Sequence, residues 1–380
     1  MASIYVHFPW CLAKCPYCDF VSYATERGAI DHEGYADAIL REAETRARSF
    51  RGKVASVFFG GGTPSLWDPA AVRRVLVRFR ELFDVETNAE ITAECNPTSL
   101  DEDRARALVD AGVDRLSIGT QSLRGEQLRF LGRLHDAEGA RRAIAGAIAA
   151  HVPRLSTDLI FGLPDQSPSD ARDQALALAD LGLTHLSCYQ LTIEPGTQFG
   201  ERKKRGLLPM PDEAQVAESF LAIDEALESR GLRHYEISNY AVPGQEARHN
   251  LAYWRGDEYV GLGCGAYGFV REDRGGRRWR NPTDPRRYVE WTSTKLDDTD
   301  VEPLTPEALL RERIMLGLRI VEGVDLGGAG RDLGIDPWTA DRLREIEKLI
   351  ARGRLTRDGD VLSIPRAAWL FTDDTASRLF

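Results

Sequence analysis

The stretch that decides the fold is Ser3–Cys18, SIYVHF-PW-CLAKCPYC. Ser3–Phe8 reads as a short buried strand, and three cysteines follow it almost at once. Working outward, Tyr35–Ser49 reads as a helix rich in Ala, Glu and Arg, and Val54–Phe59 as a second strand ending in Gly60, Gly61 and Gly62. Pro69–Phe83 is helical, with Asp68 as N-cap and Pro69 in the first position. Ala89–Glu94, Val113–Ile118, Leu155–Ile160 and Thr184–Gln190 continue as strands. Asp101–Ala111 (stopped by Gly112), Ala137–Ala150 and Ser169–Leu181 are the helices between them. Six strands alternating with helices is the pattern of βα units around a parallel sheet. The expected fold class is α/β, a partial (β/α)6 TIM-like barrel with its chemistry at the C-terminal ends of the strands.

After Asp212 the rhythm changes. Glu213–Ser229 is a helix and His234–Tyr240 a strand; Arg248–Arg255 is dense in polar and aromatic side chains, Gly261–Gly268 is glycine-rich, and Arg271–Arg287 reads as a basic loop. From Thr305, three amphipathic helices and a short strand pair suggest a C-terminal, α-rich, winged-helix-like accessory domain. The expected division is 1–235, 236–300 and 301–380.

The chain of 380 residues is 43% hydrophobic and 28% charged, which excludes disorder and disulfide-dense mini-scaffolds. No apolar run is long enough to span a membrane, and no basic segment followed by an apolar one opens the chain, so a cytoplasmic location is expected. Against 59 acidic residues stand 49 Lys and Arg, a net charge of −10 that argues against a nucleic-acid partner.

Of six cysteines, Cys11, Cys15 and Cys18 are clustered as C-x3-C-x2-C. Clustering in a cytosolic chain points to metal or redox chemistry. A zinc site wants four ligands, and no fourth Cys or His sits at finger spacing. Three thiolates on a cubane iron–sulfur cluster leave one iron open to chelate a small molecule. A zinc site or a Cys15–Cys18 redox pair is the alternative. Cys95, Cys188 and Cys264 are isolated and read as small buried residues.

This cysteine spacing, with Gly60–Pro64 (GGGTP), Glu94 in E-C-N-P, Gln121 in S-I-G-T-Q-S, Arg133 in L-G-R-L-H and Asp158 in D-L-I-F-G-L-P, resembles the radical S-adenosylmethionine (SAM) superfamily. Within it, the order of motifs is similar to the subfamily containing oxygen-independent coproporphyrinogen III oxidase and its relatives. The resemblance implies a [4Fe-4S] cluster on Cys11, Cys15 and Cys18. It implies SAM contacts at Tyr5, Gly61, Gly62, Thr63, Glu94, Gln121, Arg133 and Asp158, with Tyr17 and Thr192 as weaker candidates. Glu94 suits the methionine ammonium, Arg133 a carboxylate, and Asp158 the ribose hydroxyls.

Two kinds of protein share this pattern: the oxidase, which decarboxylates propionates of coproporphyrinogen III, and the HemW-type haem chaperones. The oxidase carries a further Cys two residues after the last cluster ligand, where this chain has Phe20, and a longer segment before the cluster. His249–Trp254, H-N-L-A-Y-W, resembles the chaperones' H-N-x-x-Y-W. On a helix, His249 and Tyr253 share a face. His249 is a nitrogen donor suited to haem iron, and Trp254 could stack on a macrocycle. Without the resemblance, a core aromatic cluster with a hydrogen-bonded His describes the same residues. The resemblance therefore implies a haem chaperone that binds haem and hands it to acceptor proteins, membrane-associated respiratory proteins among them. No residue is assigned a catalytic role, turnover of SAM is left open, and a homodimer is an option. The basic loop is a candidate for haem propionates or an acidic partner.

Overall fold

The computed structural model describes residues 2–294, 296 and 300–380. Six parallel strands come first: β1 (Ala2–Phe8), β2 (Val54–Gly61), β3 (Val85–Cys95), β4 (Arg115–Gln121), β5 (Arg154–Phe161) and β6 (His185–Gln190). The short strands β7 (Arg233–Glu236) and β8 (Asn239–Ala241) add an antiparallel edge beyond β6. On the other side, β9 (Glu258–Gly263) pairs parallel with β1, and β10 (Tyr267–Glu272), β11 (Gly275–Arg280) and β12 (Val301–Leu304) follow antiparallel. The sheet order is β12-β11-β10-β9-β1-β2-β3-β4-β5-β6-β8-β7. Strands β9 to β12 thus continue the barrel sheet on the far side of β1.

Alternation along the strands sorts the two faces. Ile4, Val6, Val57, Phe59, Ile91, Ala93, Leu116, Ile118 and Leu186 join the helix-side apolar core. The opposite face is unusually polar for a parallel sheet: Ser3, Tyr5, His7, Ser56, Glu90, Glu94, Arg115, Ser117, Ser156, Asp158, His185 and Ser187. Helices are capped as their sequences require: Asp68 accepts from the Ala70 amide (2.9 Å), and Asp101 from the Arg104 amide (2.8 Å). Gly112, at φ +108°, ends its helix in the left-handed conformation.

At the N-terminal end of the strands the polar face is closed by the helix Arg248–Trp254. Arg115 and Glu90, 2% and 1% exposed, form an ion pair at 3.1 Å. Arg115 also donates to the carbonyls of Gln245 (2.9 Å) and Glu246 (3.2 Å), and Glu90 accepts the His249 amide (3.2 Å). The Tyr235 hydroxyl joins this arrangement, accepting from the Ala247 amide (3.1 Å) and lying 2.8 Å from His185 Nε2.

The expected basic loop over Arg271–Arg287 is instead the β10–β11 hairpin and the start of the helix Pro285–Ser293. Asp273, at φ +50°, makes the turn, and Phe269 and Trp279 are buried on opposite faces of the hairpin. Arginines lie on both faces, so no period-two run marks these strands in the sequence. Arg277 pairs with Glu272 at 2.8 Å, and Arg278 with Glu312 at 2.7 Å and Glu302 at 3.1 Å, so the strip is held by carboxylates within the chain.

The C-terminal region packs Pro306–Gly317, Leu326–Leu333 and Ala340–Ala351 against a sheet of Val324–Asp325, Thr356–Asp358 and Val361–Ser363, a winged-helix arrangement. Its core of Leu310, Ile314, Leu326, Leu349, Leu362 and Trp369 includes Phe269 and Leu304 of the barrel sheet. No helix among the described residues is long and apolar enough to cross a membrane.

Removing one member of the buried pair strands the other. Arg115→Met is expected to lower unfolding free energy by about 3–5 kcal/mol, and Glu90→Leu/Arg115→Met to lower it by less than the sum of the single changes. Urea denaturation of the three variants checks this; an effect below about 1 kcal/mol for Arg115→Met contradicts it.

Candidate functional site

Strands β2 to β6 deliver groups to the C-terminal mouth of the barrel, and the loop after β1 brings the cysteines. There a cavity of about 440 Å³ is lined by Cys11, Cys15, Tyr17, Cys18, Gly61, Gly62, Thr63, Glu94, Gln121, Arg133, Asp158 and Thr192. Twelve expected residues meet in one place, although they come from positions 11 to 192. Tyr5 stands one layer below, with its hydroxyl 3.0 Å from His7 Nδ1. His7 Nε2, 2.7 Å from the Val21 carbonyl, ties the end of the cysteine loop to β1. Burial pushes His7 down to about 4, so it holds this bond as a neutral ring.

The loop is fixed by backbone contacts. The amides of Gly62 and Thr63 donate to the Phe8 (2.7 Å) and Trp10 (2.8 Å) carbonyls, and the Phe199 amide donates to the Pro16 carbonyl (2.9 Å). Thr63 Oγ1 donates to Cys11 Sγ at 3.4 Å, and Arg133 Nη1 to Cys15 Sγ at 3.5 Å. Burial raises Cys11 and Cys18 as free thiols. Among the described residues no three Cys, His, Asp or Glu side chains converge as a single-ion site. The thiols instead border one cavity, as a cluster with irons at separate corners requires, and three of them leave a corner open.

The rest of the cavity has unmet polar capacity. Gly61 is at φ +105°, and a Cβ there would lie 2.5 Å from the His7 ring, so only glycine keeps the backbone this close. Its amide donates to Glu94 Oε2 (3.1 Å). Burial, reinforced by Asp158, pushes Glu94 up to about 8, and Asp158 rises to about 6 through burial while Ser187 and Ser117 hold it back. Gln121 ends β4 at φ +66°, a strained conformation for a residue with a side chain. Gln121 Oε1 and Arg133 Nε are buried without a hydrogen-bond partner among the described residues. Two buried acids, an amide oxygen, a guanidinium N–H and a glycine cradle fit a zwitterionic, hydroxyl-bearing molecule such as SAM.

Sequence reading did not single out Asn96, Ser117, Gly119 and Tyr189, which also line the cavity. Ser117 and Tyr189 carried a usable signal, since they are in phase with Gln121 and Ser187 on the inward face of their strands. Phe20 sits at the mouth, 61% exposed. Cys95, Cys188 and Cys264 are buried.

His249, Tyr253 and Trp254 are not in this cavity. They belong to the helix that closes the opposite end of the strands. His249 is 2% exposed, stacked on Phe58 (4.8 Å between centroids, 21°) and edge-on to Tyr253 (4.9 Å, 89°). Burial pushes it down to about 3. Its surroundings are an aromatic cluster with a hydrogen-bonded His, the arrangement the residues suggested without the resemblance. Tyr253 also lines a second cavity of about 280 Å³, with Tyr259, Phe269, Arg271, Arg278, Arg313 and Met315. Trp254 is half-buried beside Glu236.

The fold and site define a radical SAM protein. Residues 5–178 match the radical SAM superfamily and residues 304–371 the HemN C-terminal domain. "Heme chaperone HemW" of Escherichia coli K12 is 35% identical over 373 residues, 97% of this chain and 95% of that protein. "Heme chaperone HemW" of Mycobacterium tuberculosis H37Rv is 34% identical over 380 residues, 99% and 94% of the two chains. "Radical S-adenosyl methionine domain-containing protein 1, mitochondrial" of Danio rerio is 37% identical over 329 residues, 85% and 74%. The solved coproporphyrinogen III oxidase (HemN) of E. coli superposes with a TM-score of 0.82 over 100% of this chain and 89% of that one; at 22% identity this is a likeness of fold. The chain belongs to the HemW family of radical SAM proteins.

Glu94 supplies a test without any ligand. Its folded value, about 8, lies above its ordinary 4.5, so between these pH values the folded chain holds a proton the unfolded chain has lost. Stability is therefore lost as pH rises through this window, by up to about 1.4 kcal/mol per unit. Glu94→Gln is expected to flatten this slope and to exceed the wild-type chain in urea midpoint at pH 8.5, with the two chains closer at pH 5. Parallel pH profiles would contradict the assignment.

Proposed function

We propose that this chain is a haem chaperone: it binds haem and transfers it to acceptor proteins, with a [4Fe-4S] cluster on Cys11, Cys15 and Cys18 and SAM beside it. The observation that carries the reading is the near-full-length similarity to proteins named as haem chaperones, which includes the segment His249–Trp254. In this reading residues 1–235 form the cofactor-holding core, 236–300 carry the haem motif, and 301–380 face the acceptor. Haem is the cargo, and His249 is the proposed iron ligand, with Tyr253 and Trp254 against the macrocycle.

The cluster with SAM supplies one-electron chemistry at the barrel mouth when bound. The chain's own residues orient it: Thr63 and Arg133 donate to the thiolates of Cys11 and Cys15, Glu94 faces an ammonium, Asp158 faces hydroxyls, and Gly61 allows close approach. Tyr5, under the cavity floor, holds His7 and so the cysteine loop, while Tyr17 and Thr192 border the ligand. Phe20 stands where the oxidase pattern has a further cysteine, which favours haem handling over propionate decarboxylation.

The test is an anaerobic haem titration of cluster-reconstituted protein, followed in the Soret band, beside His249→Ala. Saturable binding near one haem per chain, lost or spectrally shifted in the variant, is the expected result. Absence of specific haem binding, with coproporphyrinogen III consumed under reducing conditions, would replace this reading by the oxidase.

A further inference from the structure

Exposed arginines over much of this acidic chain have a carboxylate at hand. Arg74 pairs with Glu33 (3.1 Å) and Asp37 (2.7 Å), Arg78 with Glu44 (2.9 Å) and Glu81 (2.7 Å), Arg124 with Asp170 (2.7 Å) and Arg230 with Asp180 (2.7 Å). One surface breaks this pattern. Arg202, Lys203, Lys204 and Arg205 are the longest unbroken basic run in the sequence. All four are exposed, and none enters an ion pair among the described residues. Glu201 is the one carboxylate from 198 to 210. Arg202 Nη2 donates to the Leu207 carbonyl (3.4 Å) across the turn at Gly206, and Leu207 itself is 55% exposed. Cations in the last turn of a helix complement its dipole, but at full exposure that effect is small and does not call for four charges.

The place of this run gives it meaning. The helix Gln198–Lys204 follows β6 and begins against the cysteine loop. The Phe199 amide donates to the Pro16 carbonyl (2.9 Å), between Cys15 and Cys18, and the Phe199 ring centroid lies 6.4 Å from that of Tyr17. Lys203 and Lys204 come four and five residues after Phe199, about 6–8 Å along the helix. The bare cations therefore stand about one helical turn from the backbone that carries the clustered thiols. Cys95, Cys188 and Cys264 are buried at β3, at β6 and just after β9, so the sequence holds no second cysteine set, and an electron for the cluster comes from another molecule. An acidic protein is repelled by a chain of net charge −10 overall and attracted where cations are unpaired, which steers its approach and fixes its orientation. Electron-transfer encounters bury little surface, and one basic turn beside one apolar side chain suits such a footprint. We propose that Arg202–Arg205, with Leu207, is the docking surface for an acidic one-electron carrier protein that reduces the cluster on Cys11, Cys15 and Cys18. One electron leaves the carrier, which is oxidised, and enters the cluster, with no bond made or broken. The proposal rests on the cluster in the reading above and adds the partner's chemistry and the place where it docks.

The first arm of the test needs no cluster. Full-length protein is titrated with an acidic flavodoxin and with an acidic [2Fe-2S] ferredoxin at low and at physiological salt. Lys203→Glu/Lys204→Glu is compared with Lys203→Arg/Lys204→Arg and with Arg141→Glu/Arg142→Glu, an equal charge change at another exposed pair. The reversal at 203 and 204 is expected to weaken carrier binding about 10-fold or more, the arginine pair to match wild type, and the change at 141 and 142 to stay within about 2-fold. In the second arm, cluster-reconstituted chains are mixed with reduced carrier, and cluster reduction is followed by stopped-flow absorbance and electron paramagnetic resonance. The same reversal should slow reduction by the carrier about 10-fold at low salt, and leave reduction by dithionite at the wild-type rate. No binding of either carrier to the wild-type chain would overturn the proposal, as would equal binding by wild-type and reversed chains. So would a reversal that spares both carriers and instead releases the chain from phosphatidylglycerol vesicles, which makes the run a membrane contact. Carrier binding at this run by a chain that assembles no cluster would overturn the electron transfer together with the cluster reading. Unchanged carrier kinetics on an intact cluster would overturn the docking surface alone.

Discussion

A parallel sheet whose inner face is polar has to satisfy that face or fill it with a ligand. In this chain the two ends of the barrel answer differently. At the N-terminal end the Glu90–Arg115 pair is closed off by the helix Arg248–Trp254, whose preceding carbonyls and first amides complete the pair's hydrogen bonds. Taking two charges out of water is tolerable only when such partners are complete. At the C-terminal end the same strands leave Glu94, Gln121, Arg133 and Asp158 with capacity to spare. The closed end is satisfied within the chain, and the open end keeps polar groups available to a ligand.

The two ends are joined through β1 and β2. Tyr5 and Phe58 are register partners midway along these strands. Above them His7 and Gly60 support the cysteine loop and the glycine cradle; below them Ser3 and Ser56 hold His249. Residues four apart on the same strands, Ser3 and His7 on β1 and Ser56 and Gly60 on β2, therefore support the imidazole on one side and the cysteine loop and glycine cradle on the other. A change at either end has a short covalent route to the other, along extended backbone fixed in register on both sides.

Much of the fold was legible because its signals are local. Period-two runs, N-caps such as Asp68 and Asp101, and the stop at Gly112 each act within a few residues. The cavity residues were legible for another reason: a βα fold places strand ends together, so Gly61, Glu94, Gln121 and Asp158 announce a shared site once the strands are recognised. The Arg271–Arg287 segment was misjudged because its hairpin carries arginines on both faces and its two buried aromatics, Phe269 and Trp279, on opposite ones, so no period-two run separates it from a solvated loop. The environment of His249 was legible in kind, as an aromatic cluster with a hydrogen-bonded His, but not in its members. Its burial depends on Ser3, Ser56, Phe58 and Glu90, which lie about 160 to 250 positions earlier in the chain, and no local pattern ties them to it.

The central claim is that one barrel serves two ligands at opposite ends, SAM at the cysteine mouth and haem at the closing helix. Amide hydrogen exchange of the full chain, measured with SAM alone and with haem alone, tests it most directly. The account predicts that SAM protects 61–63, 94–96 and 117–121, while haem changes exchange across 245–260 and leaves the first set near its starting rates. Protection by haem confined to the cysteine mouth, around Phe20 and Tyr189, with 245–260 unaltered, would contradict it.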